Sequence, residues 1–246
     1  MALNKAVSFV QLLMRSARIP LILLLVMWAV FGAEVLLNRS FSAFGVYPRE
    51  WSGIKGILFM PFLHGDFNHI ANNSAPFFVL TTLLFTFYHK VAWRVFIFTW
   101  LVTGLWLWAG GRPSFHIGAS GLIYALAAFL FFSGVFNKSP YMMGLSLLIV
   151  FLYGSMIWYV FPIKAGISWE GHLFGALSGL LFAWIYRSEG PKRKTYQLNE
   201  NLDLLQAKYG EKYWDPEFVA ERERKAREER ERVLQVHYFY KEKEKE

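Results

Sequence analysis

A serine set among small residues opens one of the most apolar runs of the chain: FHIGASGLIYAL, residues 115–126, with Ser120 between Ala119 and Gly121. A hydroxyl is a weak nucleophile until a base takes its proton. The sequence holds six histidines that could supply that base and no cysteine to offer a thiolate instead. His172, in SWEGHLFGALSGLLFAW, is the histidine of interest, because an ionisable side chain inside a membrane-grade run is costly and marks a functional site. Gly175, Ala176 and Gly179 share its helix face, and small residues there let another helix approach to backbone contact. The run carrying Gly118, Ser120 and Gly121 is a candidate for that second helix. Tyr124 follows Ser120 by one turn on the same face, either as a group supporting the site or as an interfacial aromatic. Glycine-driven packing around a buried histidine is the competing explanation for all of these residues.

A third stretch, PFLHGDFNHIANNSAP (residues 61–76), sets His69 and Asn73 at i and i+4, with Asn72 and Ser74 beside them. Polar groups left unsatisfied in hydrocarbon cost several kcal/mol each, on the order of a lost hydrogen bond or more. A water-filled cavity, or a ligand that needs donors, would offset that cost. Histidine and asparagine donors suit an oxyanion hole. Metal binding is the weaker alternative, since there is no His-Glu-x-x-His motif and the acidic ligands are missing from the apolar runs. No metal or cofactor is expected. Glu170, two residues before His172, points elsewhere on a helix and reads as an interfacial carboxylate. His116 sits in the loop ahead of the seryl run, either near the mouth of such a cavity or as an exposed loop histidine, and His89 and His237 read as solvated residues.

The elements that must position these side chains are membrane helices. The 246 residues are 55% hydrophobic, and six stretches reach the roughly 20 apolar residues of a span: about 19–37, 68–88, 91–109, 118–136, 141–161 and 168–186. The first is read as a retained helix rather than a signal peptide, because its apolar run is long and no small-residue cleavage site follows. Residues 1–186 carry eleven Lys and Arg against four acids, whereas residues 187–246 carry fifteen against fourteen. The basic residues lie scattered between apolar runs, which fits membrane loops and argues against nucleic-acid binding. With the N-terminus inside, ten basic residues fall in inner segments and five in outer loops, so both termini are expected in the cytoplasm. Three parts result: a basic lead-in (1–18), an all-α membrane domain (19–187), and a charged cytoplasmic tail (188–246). In the tail, Asp215-Pro216-Glu217 reads as a helix start, and Glu223/Arg227 and Glu228/Arg232 stand at helical spacing.

Taken in order, HGDFNHIANN, GASGLIY and GHLFGALSG resemble the rhomboid intramembrane serine proteases, and GVYPREWSGIKGILFMPFLHGDFNH resembles the first loop of bacterial members. The resemblance covers about residues 40–187. It implies a six-helix bundle with a serine–histidine dyad in a water-filled cavity opening outward, in a multi-pass protein of a bacterial inner membrane. By that resemblance Ser120 is the nucleophile, His172 its base, Tyr124 the aromatic packed on the base, and His69 and Asn73 the oxyanion donors. His64 matches a further first-loop histidine that is structural or lines the cavity. The implied reaction is acyl-enzyme hydrolysis, and the implied partners are the bilayer and membrane proteins whose spanning helix can unwind near its outer end. The aromatic-rich fifth run (Phe151, Tyr153, Trp158, Tyr159) is a side gate or simply a lipid-facing surface. Two other classes stay open. A non-catalytic relative that binds membrane helices needs none of the five site residues, and a small transporter predicts paired half-helices or repeated polar segments, neither of which is visible.

Overall fold

The computed structural model describes residues 9–137, 139–163, 166–191, 210 and 215–243, with side chains as far as Glu231. The chain divides into two units, Met1–Arg193 and Lys194–Glu246.

In the first unit every long apolar run is helical, as it must be where no water can satisfy the backbone. The elements are α1 (Phe9–Ser16), α2 (Arg18–Leu37), the short α3 (Gly56–Phe59), α4 (Phe67–Phe87), α5 (Ala92–Gly110), α6 (Ser120–Asn137), α7 (Pro140–Tyr153) and α8 (Trp169–Ile185). A 3₁₀ segment, Gly154–Val160, continues α7. Among the described residues, five spans are long and apolar enough to cross a membrane: Phe9–Leu37, Phe67–Phe87, Ala92–Gly110, Ser120–Asn137 and Pro140–Val160. The chain is therefore a multi-pass membrane protein. The first span starts well before residue 19, because the helix runs back through Leu12, Leu13 and Met14 of the expected lead-in. The sixth expected run is α8, with 17 residues, about 25 Å at 1.5 Å per residue.

Caps and turns set where the site-bearing helices begin and end. Asn38 takes a left-handed conformation (φ 49°) and closes α2, its N–H reaching back to the last-turn carbonyls. Asp66 caps α4 by accepting from the His69 N–H at 2.9 Å. Gly118 stands at φ +106°, a conformation that side-chain-bearing residues avoid, and Ser120 then opens α6. Between α2 and α4 the loop folds through 3₁₀ turns and α3. Val46 forms an isolated antiparallel bridge with His116, its N–H donating to the His116 carbonyl at 3.0 Å and the His116 N–H returning to Val46 at 2.8 Å.

α6 stands at the centre, packed on α4, α5, α7 and most extensively on α8. Glycines make that last contact possible. A methyl at Gly175 would strike the Gly121 carbonyl, and one at Gly179 the Ala125 carbonyl. Dispersion between closely approached backbones holds such a pair where lipid leaves no hydrophobic drive between helices. A hydroxyl pair bridges α5 and α8, Thr103 Oγ1 to Ser178 Oγ at 2.8 Å.

Two loop histidines are buried. His116 is 2% exposed, which corrects the reading of an exposed loop residue: the bridge to Val46 draws it inward. His64 is 1% exposed and its two ring nitrogens have no partner among the described residues. His89 is exposed, as the sequence suggests, whereas the side chain of His237 lies outside the described residues.

The second unit contains α9, Pro216–Lys243. Asp215 caps it, accepting from the Glu217 N–H at 2.9 Å. Ion pairs at the expected spacing form between Glu221 and Lys225 (2.7 Å) and between Arg224 and Glu228 (3.8 Å), so Glu228 pairs with Arg224, and the side chain of Arg232 lies outside the described residues. Residues 192–209 of the expected tail lie outside the described residues.

Two outcomes follow from this packing. Burial pushes the His64 imidazole from 6.5 down to about 4, and burial likewise holds His116 below its ordinary value. Both are neutral in the fold, while the unfolded chain takes up protons below about pH 6.5. Their contribution to stability is complete above that value and is lost as pH falls below it, for His64 down to about 4. The thermal midpoint in detergent should drop over this window, and His64→Gln should flatten the slope. At the helix contact, Gly179→Leu should lower stability by about 3 kcal/mol or more through overpacking, whereas Gly144→Leu, where a side chain meets open space, should leave the midpoint unchanged.

Candidate active site

The α6–α8 contact brings the first two candidate residues together. Ser120 stands in the first turn of α6 and His172 in the first turn of α8, with Ser120 Oγ 2.9 Å from His172 Nε2. The other ring nitrogen, Nδ1, lies 2.9 Å from the backbone carbonyl of Tyr159 in the 3₁₀ segment. A carbonyl oxygen only accepts, so Nδ1 carries the proton and Nε2 presents its lone pair to the serine hydroxyl. That tautomer is the one a general base needs. The Tyr159 carbonyl occupies the place that a carboxylate takes in a serine–histidine–aspartate triad. Sequence reasoning missed it, because a backbone acceptor has no residue signature.

Tyr124 lies flat on the imidazole, ring centroids 4.2 Å apart and planes 9° apart. Its hydroxyl donates to the Met156 carbonyl at 2.7 Å, so the same 3₁₀ segment fixes both stacked rings. Stacking and a backbone anchor on each ring restrict His172 to one orientation.

His69 and Asn73 rise from α4 on one face and meet the turn before Ser120. A side chain at Gly118 would run into the His69 ring and come within 3.5 Å of Asn73 Nδ2. Asn73 is buried, and its amide nitrogen has no partner among the described residues. A buried donor without an acceptor costs about 1–3 kcal/mol, which a developing negative charge beside it would offset. His64 packs edge-on against His69, centroids 4.9 Å apart. Asn72, next in sequence to Asn73, is exposed and lines the cavity instead.

That cavity has a volume of about 820 Å³, and its wall includes His69, Ser120, Tyr124, Tyr159, Ser168 and His172. Glu170, read from the sequence as an interfacial carboxylate, is buried and pairs with Arg112 at 3.4 Å.

Comparison with known proteins agrees with this arrangement in kind. The Rhomboid domain matches residues 50–189, more than half of the chain. An uncharacterized protein of Mycobacterium tuberculosis is 33% identical over 164 residues, which cover 63% of this chain and 67% of the relative. One of Mycobacterium leprae is 32% identical over 177 residues, covering 68% and 69%. A protein of Acanthamoeba polyphaga mimivirus that is named as a rhomboid is 26% identical over 140 residues, covering 55% and 77%. With a matched domain that spans α4 to α8 and a bundle of apolar helices behind it, the chain belongs to the rhomboid family.

Proposed function

We propose that this protein is an intramembrane serine endopeptidase that cleaves transmembrane segments of membrane proteins with a Ser120–His172 dyad. The observation that carries the proposal is the pair of contacts on the His172 ring: the Tyr159 carbonyl 2.9 Å from Nδ1 requires the proton there, which leaves Nε2 to accept from Ser120 Oγ at 2.9 Å. His172 takes the hydroxyl proton as Oγ attacks the scissile carbonyl, then returns it to the leaving amine. A water activated by the same nitrogen releases the acyl group. His69, Asn73 and the Ser120 backbone N–H donate to the oxyanion, and the positive end of α6 adds to the stabilisation. Tyr124 keeps the base in plane.

Substrates are single- or multi-span membrane proteins, since the site lies within a bundle whose outer surface is lipid. Their spanning helix must unwind before its backbone can enter the cavity, which favours small or helix-breaking residues at the cut. The basic-residue bias supports both termini in the cytoplasm and the cavity on the outer side of the membrane, and the family resemblance supports a bacterial inner membrane.

Purified protein and a single-span reporter in detergent test the assignment. Ser120→Ala and His172→Ala should abolish cleavage while unfolding at the wild-type temperature. Asn73→Ala and His69→Ala should each lower kcat about 10²–10³-fold with little change in KM, because oxyanion donors act in the transition state. Asn72→Ala should be mildest. Wild-type turnover in Ser120→Ala would leave a non-catalytic protein that binds membrane helices, with a contaminant doing the cutting. A crippled Asn72→Ala beside an active Asn73→Ala would move the donor to the cavity-lining face.

A further inference from the structure

Ser168 stands at the N-cap of α8, where a serine ordinarily turns its oxygen onto first-turn N–H groups. Here it makes no such bond. Its hydroxyl lies 2.6 Å from His116 Nδ1. The roles are fixed by the far side of the ring, where Nε2 faces the Arg112 carbonyl at 3.0 Å. That carbonyl requires the proton on Nε2, so Nδ1 accepts from Ser168. The backbone of His116 is itself bonded to Val46 on both sides. Arg112 adds two more ties to the start of α8, an ion pair with Glu170 at 3.4 Å and a guanidinium N–H donated to the Ile167 carbonyl. The segment 112–116 thus grips residues 167–170. Four residues onward along both segments, Ser120 meets His172.

We propose that the His116–Ser168 bond, backed by the Arg112–Glu170 pair, is a positioning clamp for the catalytic pair, a proposal that rests on the serine-protease reading above. The clamp sets where α8 begins relative to α6. His172 N–H donates to the Ser168 carbonyl at 3.3 Å, so a displacement of Ser168 is passed within one turn to the base. The dyad has no carboxylate to hold its histidine, and stacking by Tyr124 restrains the ring plane but not the helix that carries it. His116 and Ser168 are positioning residues: they act on the distance between Ser120 and His172 and touch neither reacting atom. Glu170 is 6% exposed and Arg112 44%, so removing Arg112 strands a buried carboxylate and confounds folding with position. The neutral Ser168–His116 bond is the cleaner target.

The test measures kcat and KM of the full-length protein on the single-span reporter, with wild type and Ser120→Ala alongside. Ser168→Ala should lower kcat about tenfold with KM changed by less than about twofold, the pattern of a misplaced reacting group rather than lost substrate contact. Ser168→Thr, which keeps the hydroxyl, should recover most of the rate. The double variant Ser168→Ala/His116→Ala should be no slower than the slower single, since both remove one bond. If His116→Ala does not fold, the two Ser168 variants decide alone. An unchanged kcat in Ser168→Ala, a loss confined to KM, or a Ser168→Thr no faster than Ser168→Ala overturns the clamp. In those cases cleavage that vanishes in Ser120→Ala leaves the protease reading standing. Cleavage by Ser120→Ala at the wild-type rate removes that reading and the clamp with it.

Discussion

Backbone contact between α6 and α8 is the constraint on which the rest of the site depends. Ser120 Oγ and His172 Nε2 stand 2.9 Å apart only because Gly121, Gly175 and Gly179 have no side chains to hold the two helices off. Helices with ordinary side chains at the interface pack with axes about 8–10 Å apart, and an added methyl at either α8 glycine would collide with a carbonyl of α6. In a bilayer this closeness is also the source of the helix pair's stability, since lipid tails are as apolar as the side chains they would replace. Packing and chemistry therefore share the same residues.

Polar groups at membrane depth need partners, and the structure divides them into two kinds. Most are satisfied locally: Thr82, Thr86 and Thr99 return their hydroxyls to carbonyls of their own helix, and Thr103 meets Ser178. Asn73 and His172 belong instead to the candidate site. Asn73 keeps a buried donor without an acceptor among the described residues, and His172 donates from Nδ1 to a backbone carbonyl rather than to a carboxylate. A site of this kind is held ready by the fold instead of by charge. Its orientation depends on the 3₁₀ segment after α7, which supplies the carbonyls that anchor both Tyr124 and His172. Movement of that segment would release both rings at once.

Much of this was legible in the sequence, for physical reasons that also explain what was not. Runs of membrane length announce helices because lipid allows few alternatives. Ser120, His172, His69 and Asn73 stand out because each is a polar type where hydrocarbon disfavours it. The Tyr159 carbonyl carries no such mark, because every residue has one. His116 looked like a loop residue, and its burial depends on a two-residue bridge to Val46 that lies 70 positions away in sequence. Glu170 was placed correctly on its helix, but the Arg112 that encloses it comes from another loop. The first span begins before its expected start because Arg15 and Arg18 interrupt the hydropathy, while α1 and α2 follow one another with only Ala17 between them.

A serine-reactive fluorophosphonate tests the proposal that Ser120 is a nucleophile activated by His172. Intact protein in detergent would be labelled at neutral pH, digested, and the adduct located by mass spectrometry. One modified residue, Ser120, is expected in the wild type, and no adduct in His172→Ala at equal exposure. An adduct on another serine, or equal labelling of Ser120 after His172 is removed, would contradict it.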